Sequence, residues 1–142
     1  MRFLLDTSVI SDFVRGHWAV RERLLRTSPS ELAVSALTLM EVEYGLARDP
    51  SRARRIRPIA DELLARIAPI PCGTEEARAT GRLRAELARQ GTPIGPFDSL
   101  IAGTALVHRL VLVTSNTGEF RRVPRLAVED WHDSQVHDRE GE

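Results

Sequence analysis

The chain has no lysine, a single cysteine and few aromatic residues, 5% of the total. A lone Cys72 excludes a disulfide framework and a cysteine-built zinc site. His17, His108, His132 and His137 stand nowhere near metal-ligand spacing. Without lysine, any phosphate contact must use the bidentate guanidinium fork of arginine. Net charge is missing too, because 20 basic residues balance 20 acidic ones. That removes a global signal for a polyanionic partner but leaves room for a local basic patch. No apolar run approaches the length of a membrane span. The opening "MRFLLDTSVI" is too short, and turns acidic too soon, for a signal peptide. These absences predict a soluble, cytoplasmic protein with no membrane partner.

What is present is ordinary globular material: 142 residues, 42% hydrophobic and 28% charged. That length makes one domain with a proper core. "FLL" at 3–5 reads as a short buried strand, followed by Asp6, Thr7 and Ser8, with Ser8 placed to cap a helix. "LAVS" at 32–35 reads as a second strand, with a helix from about 37 to 48 after it. Asp49-Pro50 has the N-cap and first-position arrangement of another helix, which Pro58 should kink. "APIPC" holds a short strand, and Thr74 caps a helix running to Gly91, a residue suited to ending it. Gly95-Pro96 starts a helix that reaches about His108. "LVLVT" at 110–114 has the continuous apolar character of a strand covered on both faces, and "LAVED" at 126–130 is a last strand. There is no internal repeat and no interdomain linker. Strands alternating with helices imply α/β layers around a mainly parallel sheet. In such sheets reactive groups gather outside the carboxyl ends of the strands.

The acids are informative against that frame. Asp6 directly follows the first strand, where it is either a turn or capping residue or a site acid. Ser8 replaces the second acid of the D-x-D pattern, which disfavours aspartyl-phosphate chemistry. Glu41 lies in "SALTLMEVEYG", a helix apolar nearly all round and therefore expected to be well buried. A stripe of Thr38, Glu41, Gly45 and Arg48 interrupts it, while Glu43 falls on the far, solvated side. Thr38 and Glu41 also fit a capping box. Gly45 inside the helix costs about 1 kcal/mol against alanine, which close approach by backbone or substrate would explain. Asp98 stands at about the third position of its helix, where free amides and the macrodipole stabilise an ionised carboxylate. A helix-steadying acid and a metal ligand are equally served there. "VTSNTGEF" at 113–120 places Asn116 beyond the fourth strand with Glu119 one helical turn on, in what is otherwise a turn. Carboxylates clustered in a partly buried site are costly unless a cation neutralises them. With no cysteine or placed histidine, the donors are hard oxygens suited to Mg²⁺ or Mn²⁺. A carboxylate-held divalent ion activates water and steadies a phosphoryl oxyanion, which suits phosphodiester hydrolysis.

Four ordered blocks carry a resemblance: "LLDTSVIS", "SALTLMEVEYG", "RLRAELARQGTPIGPFDSLIAGTAL" and "LVLVTSNTGEFRRVPRLAVEDW". At these residues the chain resembles the PIN-domain ribonucleases and, within them, the VapC toxins of bacterial toxin–antitoxin pairs. The blocks run from the first strand to Trp131 in the family's order and spacing. The resemblance implies a PIN-like three-layer α/β/α fold over residues 1–132, with a polar, flexible tail at 133–142. It implies a Mg²⁺-dependent endoribonuclease, Mn²⁺ serving as well, whose catalytic positions are Asp6, Glu41, Asp98 and Asn116. One metal would be held chiefly by Asp6 and Asp98, with Thr7, Ser8, Thr38 and Glu119 in support. Arg121, Arg122 and Arg125, and the group "SRARRIR" at 51–57, are candidates for holding RNA, although an ordinary solvated face explains the latter equally. The implied partners are an RNA substrate, often a tRNA cut in its anticodon stem-loop, a VapB-type antitoxin and a second copy of the chain. Asn116 departs from the family pattern, which commonly has a fourth acid there; an amide adds no charge, and Glu119 is the residue that would compensate. Two other readings stand beside the toxin: a PIN nuclease of RNA processing, and a PIN-like domain that binds without cutting. The retained acids favour an enzyme, and the compact single domain favours a toxin.

Overall fold

The computed structural model describes residues 1–132, so the tail expected at 133–142 lies outside the described residues. The centre of the fold is β1 (Phe3–Leu5), three apolar residues that are all buried. Side chains alternate across a strand, so Phe3 and Leu5 enter one core and Leu4 enters the other. The next strands repeat this division. In β2 (Leu32–Ser35), Leu32 and Val34 join the first core and Ala33 the second. In β4 (Val111–Val113), Val113 joins the first and Leu112 the second. With β3 (Ala68–Ile70) and β5 (Val128–Glu129) they form a five-stranded, all-parallel sheet in the order β3-β2-β1-β4-β5.

Helices cover both faces. The first core is closed by Val9, Ile10 and Phe13 of α1 (Thr7–Val14), by Val20 and Leu24 of α2 (Trp18–Arg26), and in part by α3 (Ala36–Arg48) and α4 (Pro50–Leu64). The second is closed by Leu83 and Leu87 of α5 (Thr74–Arg89) and by Ile101, Ala102 and Ala105 of α6 (Pro96–His108). Helices α5 and α6 pack so closely that a Cβ at Gly103 would overlap the Thr80 hydroxyl. The short α7 (Thr117–Phe120) follows β4. This bears out the α/β layers that the alternating pattern implied and the three-layer α/β/α fold that the resemblance implied. No helix among the described residues is long and apolar enough to cross a membrane.

Strand order positions the site. The chain builds outward from β1 to β2 and β3, then returns to lay β4 on the other side of β1. The direction of winding therefore switches between β1 and β4, the place where parallel sheets open a crevice at their carboxyl ends. Asp6 and Thr114 are the first residues beyond those two strands.

Several local expectations need correction. The N-cap of α1 is Asp6, whose side chain accepts from the Thr7 amide, and Ser8 lies inside the first turn. The carboxylate is two residues closer to the strand, and the Ser8 hydroxyl instead donates to it and accepts from the Ser115 amide at 3.2 Å. Thr74 is the first residue of α5 rather than its cap, which is Gly73. Glu75 and Glu76 in that first turn compensate the helix dipole instead. Strand β5 is two residues long rather than five. Helix α3 is not well buried: Met40 is 42% and Tyr44 60% exposed, because the layers cover only the side carrying Thr38, Leu39, Val42 and Leu46. Gly91 ends α5 as expected, with a left-handed φ of 72°.

Candidate active site

Four elements deliver acids to the crevice. Asp6 is 6% exposed, and three donors hold its carboxylate. The Thr7 amide donates to Oδ1 at 2.8 Å; the Ser8 and Thr114 hydroxyls donate to Oδ2 at 3.2 and 2.7 Å. Thr114 is fully buried and also accepts from the Asn116 amide at 3.0 Å, so it fastens the exit of β4 to the exit of β1. Sequence reading passed over Thr114 as the end of an apolar run. Its signal was the abrupt change to small polar residues in "VTSN".

Glu41 projects from α3, and its Oε1 accepts from the Thr7 hydroxyl at 2.9 Å. Thr7 and Ser8 thus take up the supporting positions beside the first acid. Thr38 does not. It is buried against the helix start, where its amide donates to the Ser35 hydroxyl at 3.1 Å. Ser35 is the cap of α3, so Glu41 is free of the capping box it might have formed with Thr38.

Asp98 occupies the third position of α6, as its spacing from Pro96 required. Partial burial, then a hydrogen bond and charge repulsion from Glu119, then the charges of Asp6 and Glu41, push its pKa up to about 7. Glu119 is held in the opposite sense. It accepts from the Gly95 amide at 3.0 Å and the Asn116 side-chain amide at 2.8 Å, which keep its pKa below the usual carboxylate range. Asn116 therefore reaches the site through Glu119, orienting the fourth acid with its amide. The charge absent at residue 116 is supplied three residues later.

Asp6, Glu41, Asp98 and Glu119 bring only oxygen donors to the crevice, and burial followed by the charges of the other three raises Asp98. That chemistry fits a hard divalent ion. Among the described residues no three acidic, histidine or cysteine side chains converge into a ready-made cage. Mg²⁺ does not require one, since it keeps several waters and binds through one or two carboxylates.

The expected arginines divide. Arg122 lies beside the acids, donating to the Pro93 carbonyl at 3.3 Å and helping to lower Glu119. Arg121 is exposed on the same short segment. Arg125 is elsewhere: its guanidinium meets Glu86 at 3.2 Å. It lines a cavity of about 590 Å³ together with Arg109, Leu110 and Val111, at the amino end of β4, opposite the acids. A left-handed φ of 68° at Arg125, invisible to composition, turns the chain away. That cavity is thus not the acidic crevice.

Comparison with known proteins agrees with this geometry. The family model described as PIN domain matches residues 3–126. The tRNA(fMet)-specific endonuclease VapC of Salmonella typhimurium is 37% identical over 92% of this chain and 98% of its own length. The tRNA(fMet)-specific endonuclease VapC of Shigella flexneri is 40% identical over the same shares. The crystal structure of DNA-bound VapBC from Salmonella typhimurium superimposes with a TM-score of 0.83 at 38% identity, covering 92% of this chain and 98% of the other.

Proposed function

Since the chain belongs to the PIN-domain family and, within it, to the VapC ribonucleases, we propose that it is the toxin of a toxin–antitoxin pair and cuts tRNA with the help of a divalent metal. The observation that supports the metal reading is the gathering of Asp6, Glu41, Asp98 and Glu119 at the switch point of the sheet, close enough that the charges of the other three help to raise Asp98. Asp6 and Asp98 would hold the ion, with Glu41 and Glu119 acting through its waters. Mg²⁺ or Mn²⁺ bound there supplies Lewis acidity toward a water and a phosphate oxygen.

The residues of the chain do the rest. Thr7, Ser8 and Thr114 fix Asp6 by donating to it, so that its free lone pairs face the crevice in one orientation. Thr7 also fixes Glu41, which ties α3 to α1 across the site. Asn116 and the Gly95 amide set Glu119. The first turn of α6 favours the ionised form of Asp98 once a cation offsets its neighbours. Arg121 and Arg122 present guanidinium groups to the RNA backbone.

A VapB-type antitoxin would restrain this activity, by analogy with the DNA-bound VapBC of Salmonella typhimurium, and the exposed Met40 and Tyr44 suit a homodimer contact. The relatives' names favour tRNA as substrate, and the anticodon stem-loop is the region we propose to be cut. The test is cleavage of total tRNA with mapping of the ends produced. Mg²⁺-dependent cuts at discrete tRNA positions, absent in Asp98→Asn and in EDTA, are expected. Cleavage by Asp98→Asn at the wild-type rate would overturn the assignment.

A further inference from the structure

We propose that the groove between α1, α3 and α4 carries the RNA strand on one side of the cleavage point, with Arg52 holding a phosphate and Gly45 leaving the strand room to cross α3. This rests on the nuclease reading above. The groove is lined by Thr7, Glu41, Gly45, Leu46, Arg52 and Ile56, among others. It is continuous with the acid cluster, because Thr7 and Glu41 belong to both. Gly45 follows Glu41 by four residues and therefore lies one turn further along the same helix face.

Glycine inside a helix is destabilising relative to alanine, so it calls for a reason. A left-handed backbone is one, but Gly45 is not among the positive-φ residues. A close neighbour is the other, as at Gly103, where a Cβ would strike Thr80. At Gly45 a Cβ would meet nothing within 4 Å. No packing within the described residues requires the missing side chain. The space it leaves opens into the groove beside Glu41, which points to an occupant from outside the chain.

Arg52 indicates the chemistry of that occupant. Of the arginines at 51–57, Arg57 is already forked onto Glu43 at 2.8 and 3.1 Å. Arg52, in the first turn of α4, lines the groove and has no carboxylate partner among the described residues. A single unneutralised guanidinium in a groove that leads to the phosphodiester-cutting acids is complementary to another phosphate of the same strand. Ile56, partly exposed at the same groove, then flanks the intervening ribose or base.

The test compares wild type, Arg52→Ala, Gly45→Leu and, as a control, Gly81→Ala. Gly81 is also a helix glycine with open space around it, but it is exposed on α5 and outside the groove. Fluorescently labelled bulk tRNA is titrated in Ca²⁺, and its cleavage is followed in Mg²⁺. Arg52→Ala and Gly45→Leu should each weaken tRNA binding and raise KM about tenfold, the loss expected for one charge-assisted contact. Their kcat should stay within about threefold of wild type, because the acids are untouched. Arg52→Ala should also reduce the slope of log affinity against log salt by about one. Gly81→Ala should change none of these, and both glycine variants should melt at or above the wild-type temperature. Unchanged binding and KM in Arg52→Ala and Gly45→Leu, with wild type active, would overturn the inference and leave the nuclease reading standing. A wild type that neither binds nor cuts tRNA removes both. Normal tRNA binding with loss of antitoxin binding would assign the groove to the protein partner and equally overturn the proposal.

Discussion

Glu76 and Asp98 are both carboxylates packed at α6, one against each end, and their surroundings are opposite. Glu76 is 6% exposed and meets the His108 ring at 2.9 Å; that hydrogen bond holds its pKa below the usual carboxylate range. Asp98 is partly buried with Glu119, Asp6 and Glu41 for company, and first burial and then these neighbours raise its pKa to about 7. The first acid has a partner supplied by the fold, so it contributes to stability. The second is surrounded by groups that oppose its ionisation, so it costs stability until something from outside neutralises it. A shifted acid whose partners all lie within the chain is structural; one whose partners repel it indicates a ligand.

Exchanging the acids for neutral groups should break the comparison most visibly in activity. Asp6→Ala or Asp98→Asn should lower tRNA cleavage by about 10²–10³-fold or more, the scale for removing an electrostatic element of a transition state. Glu76→Gln should leave the rate per folded molecule unchanged, and rates measured on urea-checked protein will show it. Stability should move the other way. Glu76→Ala strips His108 of its partner and should cost about 2–3 kcal/mol in urea unfolding. Asp98→Asn should gain on the order of 1–2 kcal/mol in metal-free buffer, once solvent screening is allowed for.

The pH profiles should separate the two acids further. Asp98 binds its proton more tightly folded than unfolded, so its destabilising effect is absent below its ordinary value of 3.8. It grows as pH rises toward about 7 and is complete above that. The stability gap between Asp98→Asn and wild type, measured without metal, should therefore widen from pH 4 to pH 7 and then level, about 3 pH units in all. Glu76 has the reverse sign: its contribution is complete above its ordinary value of 4.5 and is lost as pH falls through its lowered folded value. The smallest effect belongs to Thr114→Val, which removes the 2.7 Å bond to Asp6. It should cost about 1 kcal/mol in thermal melts, with Thr114→Ser near wild type.

Much of this was legible in the residues. "FLL", "LAVS" and "LVLVT" are unambiguous because strands buried on both faces need no polar alternation, and three such runs between helices leave few topologies. Asp6 and Asp98 were findable because each sits at a chain position with a defined geometry, a strand exit and a third helical residue. The errors fall where tertiary contacts decide. The exposed face of α3 depends on which layers reach it, which periodicity does not encode. Ser8 and Thr74 are good capping residues displaced by a residue two positions earlier in the first case and one in the second. Arg125 was grouped with Arg121 and Arg122 by sequence distance, yet a left-handed residue sends it to the other end of the sheet. The bond from Thr114 to Asp6 is settled only when β4 is placed beside β1, 108 residues away in the chain.

Thermal melting of wild type and Asp98→Asn, each with EDTA and with Mn²⁺, tests the central claim most directly. The acid cluster as described predicts that Asp98→Asn melts higher in EDTA and that Mn²⁺ raises wild type alone, closing or reversing the gap. A wild type that does not respond to Mn²⁺, with Asp98→Asn melting lower than wild type in both buffers, would contradict it.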